Sequence, residues 1–148
     1  MGRAEWEADE SEARAAWSLY VELVTRIAVQ PMDLDHGLLR EALTSLHGIF
    51  GTTRQILREA GPSVGASRES VGGIAISVLN HGIRPFLAKW HPLLLTWEQQ
   101  KAPDAGLRAH ERKWIDEPKL RAALEELRVG LVQYTKALAT IAGVADKR

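Results

Sequence analysis

The chain has 148 residues with 19 basic and 19 acidic side chains, so its formal net charge at pH 7 is zero. This balance argues against a dedicated nucleic-acid-binding protein, which carries a basic excess. The absence of cysteine excludes disulfides, thiolate metal sites and cysteine nucleophiles.

Hydropathy is ordinary for a soluble globular protein, with 45% hydrophobic and 26% charged residues. The longest uncharged run, residues 70–83, is shorter than the ~17–25 residues that a membrane-spanning helix needs. The N-terminus is acidic, whereas a signal peptide begins with basic residues. We therefore expect one domain over residues 1–148, located in the cytoplasm. Abundant Ala, Arg, Gly and Leu with little Lys is typical of a GC-rich genome, and we expect a bacterial source.

The first predicted helix covers residues 5–30. Its opening is rich in carboxylates, which suit the positive end of a helix dipole, and Pro31 ends it. Apolar residues at steps of three and four predict a buried stripe, with the opposite face, including Val29, towards solvent. The predicted stripe consists of Trp17, Tyr20, Val21, Val24, Ile27 and Ala28.

The second predicted helix covers residues 36–60. Asp33 or Asp35 is the expected N-cap, because a carboxylate can accept hydrogen bonds from the first free amides of a helix. Gly61 followed by Pro62 predicts the end, since glycine adopts the left-handed cap and proline cannot continue the helix.

The third predicted helix covers residues 68–100, with Ser67 as its cap. Its apolar periodicity continues through Pro85, so we expect one long helix with a bend. The bend arises because proline lacks an amide donor and its ring clashes with the carbonyl of His81.

A short extra helix is expected within residues 107–115, and the last helix covers residues 117–142. The apolar positions of the last helix alternate at steps of four and three, which is a heptad pattern. This pattern fits packing inside one bundle, and it also fits pairing with a second copy of the chain. The predicted fold is therefore all-α, an antiparallel four-helix bundle with a Pro-kinked third helix. The heptad positions are Leu120, Leu124, Leu127, Leu131, Tyr134, Leu138 and Ile141.

A polar group on the third helix is the candidate ligand site. Asn80, Arg84 and His91 share one side of the helix, with Lys89 near them. The helix is apolar around much of its circumference, which predicts partial burial of Asn80 and Arg84. An anion or nucleotide pocket at the kink is one interpretation. The structural alternative, which the sequence favours, is that these side chains satisfy carbonyls freed by the prolines or pair with a carboxylate.

A basic stretch near the C-terminal third is the candidate interface. Arg108, Arg112 and Lys113 suggest a docking patch for an acidic partner, and Trp114 is open to an interface role or to core packing. Trp90 and Trp97 sit at core spacing.

Motifs for catalysis and metal binding do not emerge from the sequence. No His lies three residues after a Glu, no His-x-x-x-His occurs, and hydrolase, phosphate-loop and dinucleotide signatures are missing. We expect no cofactor and no metal. The first hypothesis is a non-enzymatic interaction or accessory module that binds a protein or forms a homodimer. The second is a small-molecule or nucleotide-binding bundle with its site on the third helix. A third is a peripheral membrane protein that uses residues 93–97.

Overall fold

The computed structural model describes residues 9–32 and 36–144, and all regular structure in these ranges is helical. The α-helices are α1 (Glu10–Val24), α2 (Leu39–Ala60), α3 (Val71–Ser77), α4 (Arg84–Glu98), α5 (Leu107–Arg112) and α6 (Glu117–Ala142). Short 3-10 turns cover Ile27–Val29 and Pro62–Gly65, and a π-helical turn covers Val78–Ile83.

Helix α1 is shorter than predicted. The carboxylate of Asp9 accepts a hydrogen bond from the amide of Glu12 at 2.7 Å and caps the start. Near the end, the hydroxyl of Thr25 donates to the carbonyl of Val21 at 2.7 Å. The first four residues of the predicted helix, 5–8, lie outside the described part of the chain.

The buried face of α1 is rotated relative to the predicted stripe, of which Tyr20 and Ala28 are buried as predicted and Trp17, Val21 and Ile27 are exposed. Trp17 is 48% exposed and Ile27 is 55% exposed, whereas Val29, assigned to the solvent side, is buried. Two small residues contribute to the buried face, and small side chains allow a neighbouring helix to approach closely. The buried residues of α1 are Ala15, Ala16, Leu19, Tyr20 and Leu23.

Helix α2 begins with a cap from a distant part of the chain. Leu38 occupies the N-cap position and its side chain makes no capping hydrogen bond. Instead, the buried carboxylate of Glu111 in α5 accepts from the amides of Leu39 at 2.9 Å and Arg40 at 3.3 Å. The predicted caps Asp33 and Asp35 lie outside the described residues. Gly61 ends α2 as predicted, but at φ +90° and ψ 172° it lies outside the left-handed helical conformation that was expected.

The start of α3 also differs from the prediction, because Ser70 rather than Ser67 is the cap. The Ser70 hydroxyl accepts from the amide of Gly73 at 3.1 Å and donates to the carbonyl of Ser67 at 2.6 Å. Gly72 and Gly73 then lie directly against the preceding loop, residues 64–68, where a side-chain carbon would meet backbone atoms. Glycine is required there for close approach of two backbones.

Helical backbone continues from Val71 to Glu98, within the predicted third helix. At Val78–Ile83 it widens into a π-helical turn, and the amide of Arg84 donates to the carbonyl of Leu79, five residues earlier. Pro85 follows as the second residue of α4. A wider turn displaces the preceding carbonyls and accommodates the proline ring without a donor from Pro85.

The core lies mainly between α1 and α6, with α2 and α3–α4 around it. Four of the heptad leucines of α6 are buried, and the other heptad residues are half-buried against the same core. The heptad pattern therefore packs within the chain. The buried four are Leu120, Leu124, Leu131 and Leu138.

The hydroxyl of Tyr134 in α6 is buried without a hydrogen-bond partner among the described residues. Burial raises the pKa of Tyr134 well above its usual value. We expect Tyr134→Phe to increase the free energy of unfolding by about 1 kcal/mol at neutral pH, because it removes an unsatisfied polar group. Urea denaturation of both proteins measures this difference.

The difference in free energy of unfolding between Tyr134→Phe and wild type should grow above pH ~10, where a tyrosine in the unfolded chain ionises. Because Tyr134 stays neutral in the folded state, its contribution to stability is present below that pH and is lost as the pH rises. An equal stability of wild type and Tyr134→Phe from pH 7 to 11 would contradict the burial of this hydroxyl.

Candidate functional site

A groove of about 510 Å³ lies between α2 and α4, and its polar lining is predominantly basic. No carboxylate is among the described residues that line it. Most of the basic side chains are exposed, so the groove opens to solvent. The basic lining residues are Arg40, His47, Arg54, Arg84 and His91.

The helical repeat brings these residues together. On α2, positions 40, 43, 47, 50 and 54 follow at steps of three and four and therefore share one face. On α4, positions 84, 87, 88 and 91 do the same. The two helices face each other along these stripes, and the apolar residues between the basic ones form the floor. The floor consists of Leu43, Phe50, Leu87 and Ala88.

Phe50 is the centre of the groove. The guanidinium carbon of Arg84 lies 4.9 Å from the ring centroid of Phe50, and that of Arg54 lies 5.7 Å from it. The His47 ring is also close, with 6.4 Å between ring centroids. Cations within about 6 Å of an aromatic face are attracted by its quadrupole, so the Phe50 ring attracts both guanidinium groups.

Arg84 is fixed at one nitrogen only. Its Nε donates to Oδ1 of Asn80 at 3.2 Å, one helical turn earlier. No other hydrogen bond and no ion pair to Arg84 occur within residues 9–32 and 36–144, so both terminal nitrogens are available to a ligand. Arg84 and Asn80 are exposed, which corrects the expectation of partial burial, and Arg84 has no carboxylate partner among the described residues.

Arg40 is engaged differently. Its guanidinium makes a bidentate ion pair with Glu98, at 2.9 Å from Nε and 2.7 Å from Nη2. Its Nη1 lies 2.9 Å from Nδ1 of His91. Because a guanidinium only donates, Nδ1 accepts, which assigns the ring proton of a neutral His91 to Nε2. Glu98 therefore offsets the charge of Arg40, and Arg40 holds the His91 ring at the groove wall.

The four ligand residues proposed from sequence have three different positions. Arg84 and His91 line the groove, and Asn80 positions Arg84 from behind. Lys89 lies outside it, with its ammonium 4.9 Å from the ring centroid of Trp90.

The interface residues proposed from sequence do not form one exposed set. Trp114 is only 6% exposed and packs edge to face on Trp90, so it belongs to the core. Arg108 is half-buried and lies 4.0 Å from a carboxylate oxygen of Glu117. Arg112 and Lys113 are exposed.

The apolar segment at residues 93–97 is divided between core and surface. Leu94 is fully buried, whereas Leu93 and Leu95 are exposed. Trp97 stacks on His110 at 4.3 Å between ring centroids and donates to its backbone carbonyl. Trp90 is buried as predicted, and Trp97 is half-buried.

Sequence reasoning missed the α2 half of the groove. Phe50 is a buried core residue whose ring also lies at the groove, while Arg54 is exposed and Arg40 is half-buried. The available signal was the repetition of basic or aromatic residues at positions 40, 47, 50 and 54, which places them on one helix face. That signal gains meaning only when the facing helix is known.

The described residues contain no cluster of three or more His, Asp or Glu that could hold a metal ion. None of the helices within residues 9–32 and 36–144 is long and apolar enough to cross a membrane. The chain matches no known family model, no curated protein and no solved structure.

Proposed function

We propose that this protein binds a small organic anion in the groove between α2 and α4. The observation that carries the proposal is the pair Arg54 and Arg84, two guanidinium groups over Phe50 that have no carboxylate partner in the part of the chain that the structure describes. Of the hypotheses raised by the sequence, this is the small-molecule or nucleotide-binding bundle with a site on the third helix. The proposed role is binding, without a reaction.

The chemistry of the groove favours an anion with an apolar body. A guanidinium that uses only Nε for a protein contact presents its two terminal nitrogens as a fork, which fits the two oxygens of a carboxylate or phosphate. The floor of Leu43, Leu87 and Ala88 offers apolar contact to the remainder of the ligand. A volume of about 510 Å³ is within the range of ligand pockets.

Isothermal titration calorimetry with phenyl phosphate, benzoate and the neutral benzyl alcohol tests the proposal. We expect the anions to bind and the alcohol not to bind. Arg84→Ala should weaken anion binding by about tenfold or more, because it removes a charge-assisted hydrogen bond pair. Lys89→Ala is the matched control, since it removes a cation from the same helix outside the groove.

Equal losses in Arg84→Ala and Lys89→Ala would show a general charge effect and reject the groove as the site. The absence of heat with both anions would reject the function. Circular dichroism of each variant separates loss of binding from loss of folding, and the exposure of both side chains favours intact folding.

A second candidate function is protein binding, including a homodimer. One observation favours it: Leu107, the first residue of α5, is 54% exposed and Ile115, which follows α5, is 86% exposed, and the basic residues Arg112 and Lys113 lie between them in the sequence. Exposed apolar residues beside a basic patch fit an interface with an acidic partner. Light scattering of wild type and Ile115→Glu measures self-association. A monomeric mass for both proteins would reject the homodimer.

We also propose that residues 1–148 form one cytoplasmic domain and that the main helices pack as an antiparallel four-helix bundle, bent at the π-helical turn. Contacts between α1 and α2 support antiparallel packing, since Arg26 lies 3.4 Å from Thr52 and Trp17 lines a cleft with Ile56. Contacts between α2 and α4 also support antiparallel packing, since Arg40 near the start of α2 pairs with Glu98 at the end of α4 and Phe50 lies beside Arg84 at the start of α4.

A further inference from the structure

We infer that the groove selects a doubly charged head group, namely the dianion of a phosphate monoester with an apolar or aromatic body. This inference rests on the anion binding proposed above and adds the class of ligand. It follows from the number of cations in the groove that lack a counter-ion, their distances from the Phe50 ring and the apolar character of the floor.

The charge balance of the groove leaves two cations without a counter-ion. Arg40 is matched by the bidentate contact with Glu98. Arg54 and Arg84 have no ion pair within residues 9–32 and 36–144, and the guanidinium of Arg54 makes no hydrogen bond there and lies over the Phe50 ring. A ligand with two negative charges would balance the site, whereas a carboxylate or sulfate would leave one guanidinium unmatched.

The geometry allows both cations to reach one head group. Their guanidinium carbons lie 5.7 and 4.9 Å from the same ring centroid, so their separation cannot exceed the sum of these two distances. Both residues are exposed, and Arg54 makes no hydrogen bond within residues 9–32 and 36–144, so its side chain can turn towards a head group held by Arg84. A phosphate monoester has three terminal oxygens, enough for a two-oxygen contact with the Arg84 fork and a further contact with Arg54.

The fixed position of Arg84 makes it the anchor of the head group. Asn80 holds its Nε at 3.2 Å, so part of the cost of ordering this side chain is met before the ligand arrives. The ester group of the ligand then lies over the apolar floor, where Leu43 and Leu87 exclude water from one side. A bare phosphate ion would miss this contact and bind more weakly than an ester.

Phenyl phosphate and phenyl sulfate provide the test, because they have nearly the same shape and differ by one charge at pH 8. A phosphate monoester is a dianion at that pH, since its second pKa is about 6. We expect wild type to bind phenyl phosphate about tenfold or more tightly than phenyl sulfate, by calorimetry in low salt. Arg54→Gln removes one of the two cations, and the preference should fall to about threefold or less.

Arg58→Gln is the matched control, because it makes the same change one turn further along α2 at an exposed position outside the groove. It should keep the full preference for phosphate. Equal affinity of wild type for both esters would overturn the inference while the proposed anion binding stands. A preference that survives Arg54→Gln would also overturn it, and binding of neither ester would reject the inference and the proposed function together.

Discussion

Replacing Glu111 with alanine should lower the free energy of unfolding by about 2–4 kcal/mol, although Glu111 lies in a short helix at the edge of the fold. Its carboxylate is buried and caps α2 through the amides of Leu39 and Arg40. The substitution leaves these two donors without partners, at a cost of about 1–3 kcal/mol each before relaxation. It also removes a negative charge from the positive end of the α2 dipole.

Two variants separate the cap from other effects. Glu111→Gln keeps the shape and one oxygen acceptor but loses the charge, and should cost about half as much. Glu126→Ala removes an exposed carboxylate of α6 and should change stability by less than about 0.5 kcal/mol. Urea denaturation measures all three, and an equal effect of Glu111→Ala and Glu126→Ala would show that α2 does not depend on this contact.

Gly73→Ala should lower the free energy of unfolding by about 2–3 kcal/mol. A side-chain carbon at Gly73 would overlap the backbone carbonyl oxygen of Ser67 and lie 2.9 Å from the Cα of Arg68. Backbone atoms cannot rotate away as a flexible side chain can, so α3 and the loop must separate. This cost exceeds the gain of up to about 1 kcal/mol that alanine brings to a helix.

Gly82→Ala is the control for that helix propensity. Gly82 is exposed in the π-helical turn, and a side-chain carbon there has no atom within 4 Å. The substitution should be neutral or stabilise the protein by up to about 1 kcal/mol. If thermal denaturation shows the same shift for both variants, the close packing of α3 on residues 64–68 is wrong.

The contrast between α6 and α1 shows which parts of the fold the sequence could predict. In α6 the large apolar residues form one heptad stripe, so only one face is suitable for the core, and the prediction of a buried stripe holds for Leu120 and Leu138. In α1, Trp17 and Val21 provide a second apolar face beside Leu19 and Leu23. Periodicity cannot choose between two such faces, and packing against α6 selects the one with small residues at Ala15 and Ala16.

Caps were harder to predict than helices, because the decisive partners were not always local. Asp9 and Ser70 cap through neighbours three residues away, a pattern visible in sequence, yet Ser67 competed with Ser70 as an equally suitable hydroxyl. The cap of α2 comes from Glu111, 72 residues later. No local pattern encodes such a contact.

The sequence grouped only the residues on one side of the candidate groove, because the partners on the other side are distant in sequence. Asn80, Arg84 and His91 share a helix face, which the sequence shows directly. Their significance depends on the register of α4 against α2, which brings Phe50 and Arg54 opposite them. Sequence reasoning favoured a structural role for Arg84, with carbonyls freed by the prolines or with a carboxylate, whereas the structure places it beside Asn80, the Phe50 ring and a second cation.

A two-dimensional ¹H–¹⁵N NMR titration of the protein with phenyl phosphate tests the central claim most directly, because it locates the ligand without a variant. We predict saturable shifts of amide signals within residues 43–54 of α2 and 84–91 of α4, with little change in α1 and α6. Shifts centred on α5 or α6, or no shifts at millimolar phenyl phosphate, would contradict the assignment of the groove as an anion-binding site.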